Sequence, residues 1–424
     1  MTQLVGRVLR QPYQERTPFS DLNESYVYCL RETSTEVSRE VKAALEREGY
    51  EGGAQSQIVD ATKPEAGAKR TVRIRQQFLD LYRRQFEGKI YLPHFCVANG
   101  NGYEPLDYFR HLVSQVDVSS FPFPEVAWSS LRDEIDQAKE RFYRVTLGQP
   151  IERVRETDVD HWEPDAAVKG WIAASLPFDY LSHKQLRRIV DGAYARLCER
   201  ELYLEGNLAL VKFEVRNRLE RFIQQQLNRQ TEAAFRQLHS EGRLKFYLKC
   251  EKCRFEIPPE NNIRTMRPLT RTDGSPVARS LFDDVEHESV NEYERAVALC
   301  MDRDEKVLWW YRNLVGSEHF HIQGYRRERI RPDFVVHGGT VEAPLHRVLV
   351  VESKGAHLEG NLDTRYKENV AAVFNDVGSE IPWQQLADDF SDQTFRFQVL
   401  DEIQDFGRDW QDELHDVIAR LMQE

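Results

Sequence analysis

The chain has 424 residues, 41% hydrophobic and 30% charged, the balance of a globular protein large enough for two or three domains. A formal charge of −12 excludes a protein that coats nucleic acid with its whole surface and leaves room only for local basic patches. No apolar run approaches the ~20 residues of a membrane span, no apolar signal core opens the chain, and the six cysteines are scattered, so a reduced, cytoplasmic protein with no disulfide framework is expected.

The first recognisable stretch is Gln3-Leu4-Val5-Gly6-Arg7-Val8-Leu9-Arg10, of the form Gln-x-x-Gly-Arg-x-x-Arg, with a strand-like run at Ser25-Tyr26-Val27-Tyr28-Cys29-Leu30. It resembles the last conserved motif of superfamily 2 helicases. That resemblance implies that residues 1–35 are the truncated remnant of a second RecA-like domain. Gln3, Gly6, Arg7 and Arg10 would then face nucleotide phosphates, a task suited to the planar arginine fork. The phosphate-cradling Gly-x4-Gly-Lys-Ser/Thr pattern does not occur in the chain. Asp412-Glu413-Leu414-His415 mimics a DExH box, but it follows the arginine motif and has no apolar strand before it. ATP hydrolysis is therefore not expected of this chain alone, and ATP would act only with an upstream helicase half. Met1 falls inside the motif, which reads as a truncation, a split gene or a mis-assigned start.

Residues 36–275 read as a mainly helical middle region. Val215, Leu219, Phe222, Ile223 and Leu227 recur at helical spacing, and 125–146 and 183–202 behave similarly. Strand-like runs interrupt at Lys89–Val97 and Leu244–Lys249, and the small polar residues of 52–67 predict a loop. The basic run Lys69-Arg70-Thr71-Val72-Arg73-Ile74-Arg75 reads as a solvated face, with a local patch for nucleic acid as the alternative. Cys250-Glu251-Lys252-Cys253 is a single CxxC, whereas a structural zinc site needs four ligands. A hairpin turn between Lys245–Lys249 and Arg254–Ile257 is expected there, with zinc binding and redox chemistry as alternatives.

Residues 276–424 alternate element types: a helix at Asn291–Met301, strands at Val307–Tyr311, Phe320–Tyr325, Asp333–His337 and Arg347–Glu352, a helix at Asp363–Asn375, a strand at Phe395–Leu400 and a helix at Trp410–Met422. The expected fold class is α/β, a mixed sheet flanked by helices. Trp309-Trp310-Tyr311 reads as sheet core, with stacking on unpaired bases as the alternative.

Within this part, Arg331-Pro332-Asp333-Phe334 is followed by Val350-Val351-Glu352-Ser353-Lys354-Gly355. If the two apolar runs pair antiparallel, Asp333 comes beside Glu352, and Glu352 and Lys354, two apart, share a sheet face. Converging carboxylates repel unless a cation stands between them. Magnesium on Asp333 and Glu352 fits that requirement, with Lys354 offsetting charge that builds on phosphorus. The pattern resembles the PD-(D/E)xK nuclease superfamily, whose restriction-endonuclease-like folds place a glutamate on the preceding helix. Glu294 matches best, with Glu292 as competitor. Lys367 and the basic run containing Arg327, Arg329 and Arg331 are candidate contacts to DNA phosphate, against the alternative of a solvated surface.

Together the two end motifs make the chain similar to the C-terminal part of a type III restriction enzyme's helicase–nuclease subunit, supported by Asn228–Phe235 and Asn291–Asn313. The resemblance implies DNA as substrate and a methyltransferase subunit and helicase half as partners. The expected function is a magnesium-dependent DNA endonuclease. The alternatives are a DNA-binding or assembly module active only with its partners, and an unstable fragment of an inactivated gene.

Overall fold

The computed structural model describes residues 70–80, 89–100, 102–121, 143–144, 152–153, 164–200, 205–263, 267–314, 319–339, 347–354, 362–380, 394–401 and 409–421. The motif of Gln3, Gly6, Arg7 and Arg10, the RecA-like remnant and the expected loop at 52–67 lie outside them, as does nearly all of the helix expected at 125–146. In chain order the elements run β1 (Arg70–Arg73), β2 (Ile90–Pro93), β3 (Phe95–Asn99), β4 (Gly102–Pro105), β5 (Tyr143–Arg144), β6 (Glu152–Arg153), α1 (Asp165–Ser175), α2 (His183–Arg200) and α3 (Lys212–Ser240). They continue with β7 (Leu244–Phe246), β8 (Arg254–Ile257), β9 (Glu260–Ile263), α4 (Glu292–Arg303), β10 (Val307–Arg312), β11 (Phe334–Gly338), β12 (Arg347–Lys354), α5 (Leu362–Glu380), β13 (Thr394–Asp401) and α6 (Trp410–Leu421). Among the described residues no helix is long and apolar enough to cross a membrane.

The chain divides into two compact units. Phe109–Ala234 forms one, in which α1, α2 and most of α3 bury Val168, Ile172, Val190, Leu219, Ile223 and Leu227 in a common core. The helical spacing read from Val215 to Leu227 is the face that α3 turns inward. The other unit joins Met1–Tyr108 to Phe235–Glu424. The expected boundary at 275/276 therefore falls inside a unit. The reason is contact across that position: Ile74 bridges Phe282, Arg75 donates to the carbonyls of Val277, Ser280 and Leu281, and Phe374 packs on Phe95 and Phe246.

Strand pairing also corrects the expected hairpin at the CxxC. A single 3-10 turn covers Glu251–Cys253, but β7 and β8 pair with different partners and not with each other. Cys253 is bonded instead to Cys96, across 157 positions of sequence, against the expectation of no disulfide.

The later part of the same unit has the order α4-β10-β11-β12-α5-β13. Its four-stranded sheet follows the order β10-β11-β12-β13, with the first two pairings antiparallel and the last parallel. The parallel pair requires a crossover, which α5 supplies. Alternation along the central strands sends Phe334, Val336, Leu349 and Val351 to the face covered by α4 and α6, in a core with Val297, Met301, Leu414 and Ile418. The helix α4 starts with a capping box: the Asn291 side chain accepts from the Glu294 N–H, and Glu294 accepts from the Asn291 N–H. Trp309 and Trp310 are fully buried, as the core reading expects.

Candidate active site

Register decides which charged groups meet. Phe334 pairs with Val351, so the next step of the antiparallel ladder brings Asp333 alongside Glu352, as the spacing predicts. The side chains then take different partners. Asp333 Oδ2 accepts from the Ser353 N–H (2.7 Å) and hydroxyl (2.6 Å), and Oδ1 accepts from Arg312 (2.9 Å). Glu352, buried to 6% exposure, accepts from the Lys367 ammonium on α5 at 2.5 Å. In the structure Arg312 pairs with Asp333 and Lys367 with Glu352. Lys367 holds a carboxylate, where a phosphate contact was expected.

Glu294 joins this cluster and Glu292 does not. Arg312 donates through one nitrogen to Glu294 Oε2 (3.0 Å) and through the other to Asp333, so one guanidinium bridges the two carboxylates. The bridging side chain is itself anchored on the Ser289 carbonyl and lies over the Phe334 ring. Burial raises the Glu294 pKa above the ordinary carboxylate value; Arg312 pulls it down and Asp333 pushes it up. Glu292 is exposed.

Arg312, Asn313 and Ser353 are functional candidates that sequence reasoning passed over. Asn313 is buried and crosslinks the approach to Asp333: its amide donates to the carbonyls of Phe320 and Pro332, and its own N–H donates to the Asp333 carbonyl. The available signal was position. Arg312 and Asn313 close the apolar run of β10, and antiparallel pairing puts that end beside the start of β11.

The expected strand Phe320–Tyr325 is absent. Ile322 and Ile330 exchange two backbone hydrogen bonds, 2.7 and 2.9 Å, and the chain between them forms a tight loop that carries the basic run. A strand would have needed a ladder partner along its length, and only this one pair is made. On that loop Arg329 is exposed and approaches His321 Nε2 at 3.1 Å, whereas Arg327 and Arg331 are half-buried. The Lys354 backbone closes β12 opposite Asp401; its side chain is outside the described residues.

Chemically, Glu294 on α4 and Asp333 before β11 bring hard oxygen donors to one guanidinium, and Glu352 on β12 offers a further carboxylate held by Lys367; carboxylate oxygen is the ligand type magnesium takes. The position between Glu294 and Asp333 already accommodates a cationic group, the Arg312 guanidinium. Among the described residues no group of three or more His, Cys, Asp or Glu side chains gathers to hold a metal ion. Compared with known proteins, the chain matches no family model, no curated protein and no solved structure.

Proposed function

We propose that the unit containing the four-stranded sheet is a magnesium-dependent phosphodiesterase acting on DNA, related to the PD-(D/E)xK nucleases, within a type III restriction-like helicase–nuclease. The observation that motivates this reading is the pairing of Glu294 with Asp333 through Arg312, with Glu352 opposite Asp333 on the neighbouring strand, on an α-β-β-β-α-β frame. Asp333 and Glu352, with Glu294, would hold the metal, whose contribution when bound is to polarise the scissile phosphate and acidify a water. The carboxylate chemistry fits that ion, and the present ion pairs say what must yield: Arg312 and Lys367 now neutralise the donors.

The protein's own residues carry the remaining tasks. Arg312 keeps Glu294 and Asp333 from repelling each other while no other cation is between them. Ser353 fixes Asp333 by two hydrogen bonds, so its carboxylate is oriented before any ligand arrives. Lys354 is assigned the role of placing the attacking water and offsetting charge on phosphorus. Arg327, Arg329 and Arg331 offer a local positive loop for the DNA backbone on a protein whose net charge is negative.

The test is nicking of supercoiled DNA by the purified chain with and without Mg²⁺. The expected result is metal-dependent cutting that Asp333→Ala and Lys354→Ala each reduce by ~100-fold or more. Cutting that survives both substitutions removes the assignment. Dependence on a helicase or methyltransferase partner is the second reading, favoured by the absence of a P-loop from the chain; co-purification with such a partner, and cutting only in its presence, would establish it.

A further inference from the structure

Near the other end of α4 from Glu294, a second cluster of reactive side chains has no part in that chemistry. Cys300 lies on α4, about 9 Å along the helix axis from Glu294. Its Sγ is 3.6 Å from Nε2 of His415 on α6. His415 Nδ1 is 3.0 Å from Oδ2 of Asp304, the residue that ends α4. Cys300 and Asp304 are four apart and come to the same side of the helix end. Asp304 is fixed in turn by the Lys306 N–H, which donates to its other oxygen at 2.9 Å.

The hydrogen bonds choose the tautomer. Asp304 can only accept, so Nδ1 carries the proton and Nε2 presents its lone pair to the thiol. That is the arrangement of a nucleophile, a base in reach and a group that orients the base. The imidazole is half exposed, with 51% of its side-chain surface open, while the Asp304 side chain keeps 11%. The cluster is therefore open to solvent on the side of the base and anchored on the side of the carboxylate.

We propose that Cys300 is a base-assisted thiol acceptor for a neutral or cationic electrophilic carbon, with His415 as the base and Asp304 as its orienting carboxylate. In the reaction Sγ bonds to the carbon, the thiol proton passes to His415 Nε2, and the leaving group departs with its electron pair. The charge selectivity follows from the surroundings. Asp304 and Arg303 from the end of α4, Asp409 beside the start of α6, and His415 are the charged or titratable groups that face the thiol. Two carboxylates against one arginine disfavour an anionic reagent. Burial first, then the same carboxylates, push the thiol pKa up to about 11, so at rest it is an S–H donor to the imidazole.

The experiment is alkylation of the folded full chain with iodoacetamide, read by peptide mass spectrometry, with Cys198 and Cys250 as internal references. A thiol without a base reacts in proportion to its thiolate and gains tenfold per pH unit up to its pKa of about 11. Cys300 is expected to climb less steeply than that, because His415 takes the proton as the bond to carbon forms. His415→Gln is expected to slow labelling by about tenfold or more and Asp304→Asn by a smaller factor. The negatively charged iodoacetate is expected to discriminate against Cys300 relative to Cys250, whereas Cys198, also faced by two carboxylates and one cation, is expected to behave like Cys300. Unaltered labelling in His415→Gln with the references unchanged overturns the proposal. So does a wild-type rate that climbs tenfold per pH unit from pH 6 to 10, a measurement that needs no variant, and so does a Cys300 that stays unlabelled in the native chain.

Discussion

Asp302 has no exposure, yet its polar side chain is fully engaged. Its carboxylate is satisfied by the N–H groups of Ala278 and Arg279, the Trp310 indole N–H and the Arg271 guanidinium at 2.6 Å. Asp302→Ala leaves the Ala278 and Arg279 N–H groups and the buried indole N–H without an acceptor, while Arg271 can reach water, so it is expected to cost about 1–3 kcal/mol, read from the denaturant midpoint. Two histidines make the opposite case. Burial first, with neighbouring positive charge, lowers the pKa of His94 to about 3 and that of His321 to about 4, from an ordinary 6.5. The unfolded chain then binds protons that the folded chain refuses. Stability is full above pH 6.5 and is expected to fall by at most about 1.4 kcal/mol per pH unit for each imidazole as the pH drops toward 4. Urea midpoints measured across that range check it, and His94→Phe is expected to flatten the slope. No sequence pattern signals either shift, because each depends on what folds over the ring.

At the scale of elements, periodicity was informative wherever an element buries a regular stripe. The continuous apolar runs and short length of Val307–Tyr311, Asp333–His337 and Arg347–Glu352 mark real strands, buried on both faces, and the helices at Asn291–Met301 and Asp363–Asn375 are present with ends shifted by a few residues. Phe320–Tyr325 misled because its apolar residues are buried in a loop, where burial follows no period. Gly324 shows what holds that loop: a Cβ there would approach the Tyr366 hydroxyl to 2.5 Å and a Val370 methyl to 2.7 Å. Gly324→Ala is therefore expected to cost about 1–3 kcal/mol through overpacking against α5. Faster hydrogen exchange at the Ile322 and Ile330 amides would report the loosened loop, and DNA affinity should fall with it if the arginines contact phosphate.

At the scale of the molecule, the last 149 or so residues bury the α4 and α6 side of their sheet among themselves, while α5 packs on earlier residues. Phe374 of α5 packs against Phe95 and Phe246, with ring centroids 5.7 and 4.8 Å apart, and Phe255 packs against Phe320. Arg75 adds hydrogen bonds to the carbonyls of Val277 and Ser280. A fragment of residues 276–424, the nuclease domain expected from the sequence, should expose this aromatic face and bind a hydrophobic dye or aggregate. Stable, dye-silent behaviour of that fragment would show that the early strands are dispensable.

Composition, apolar runs and the spacing of Asp333, Glu352 and Lys354 were enough to determine that residues 276–424 hold mixed helices and strands and that Asp333 and Glu352 take neighbouring ladder positions, because ladder pairing is a local rule. Tertiary structure alone decided that Arg312 bridges Glu294 and Asp333, that Lys367 takes Glu352, that Cys96 meets Cys253, and that His415 reaches Cys300. Each of those contacts joins residues distant in the chain through packing of side chains that no local period records. An ion pair depends on where two ends of the fold come to rest, and that position is a property of the whole core.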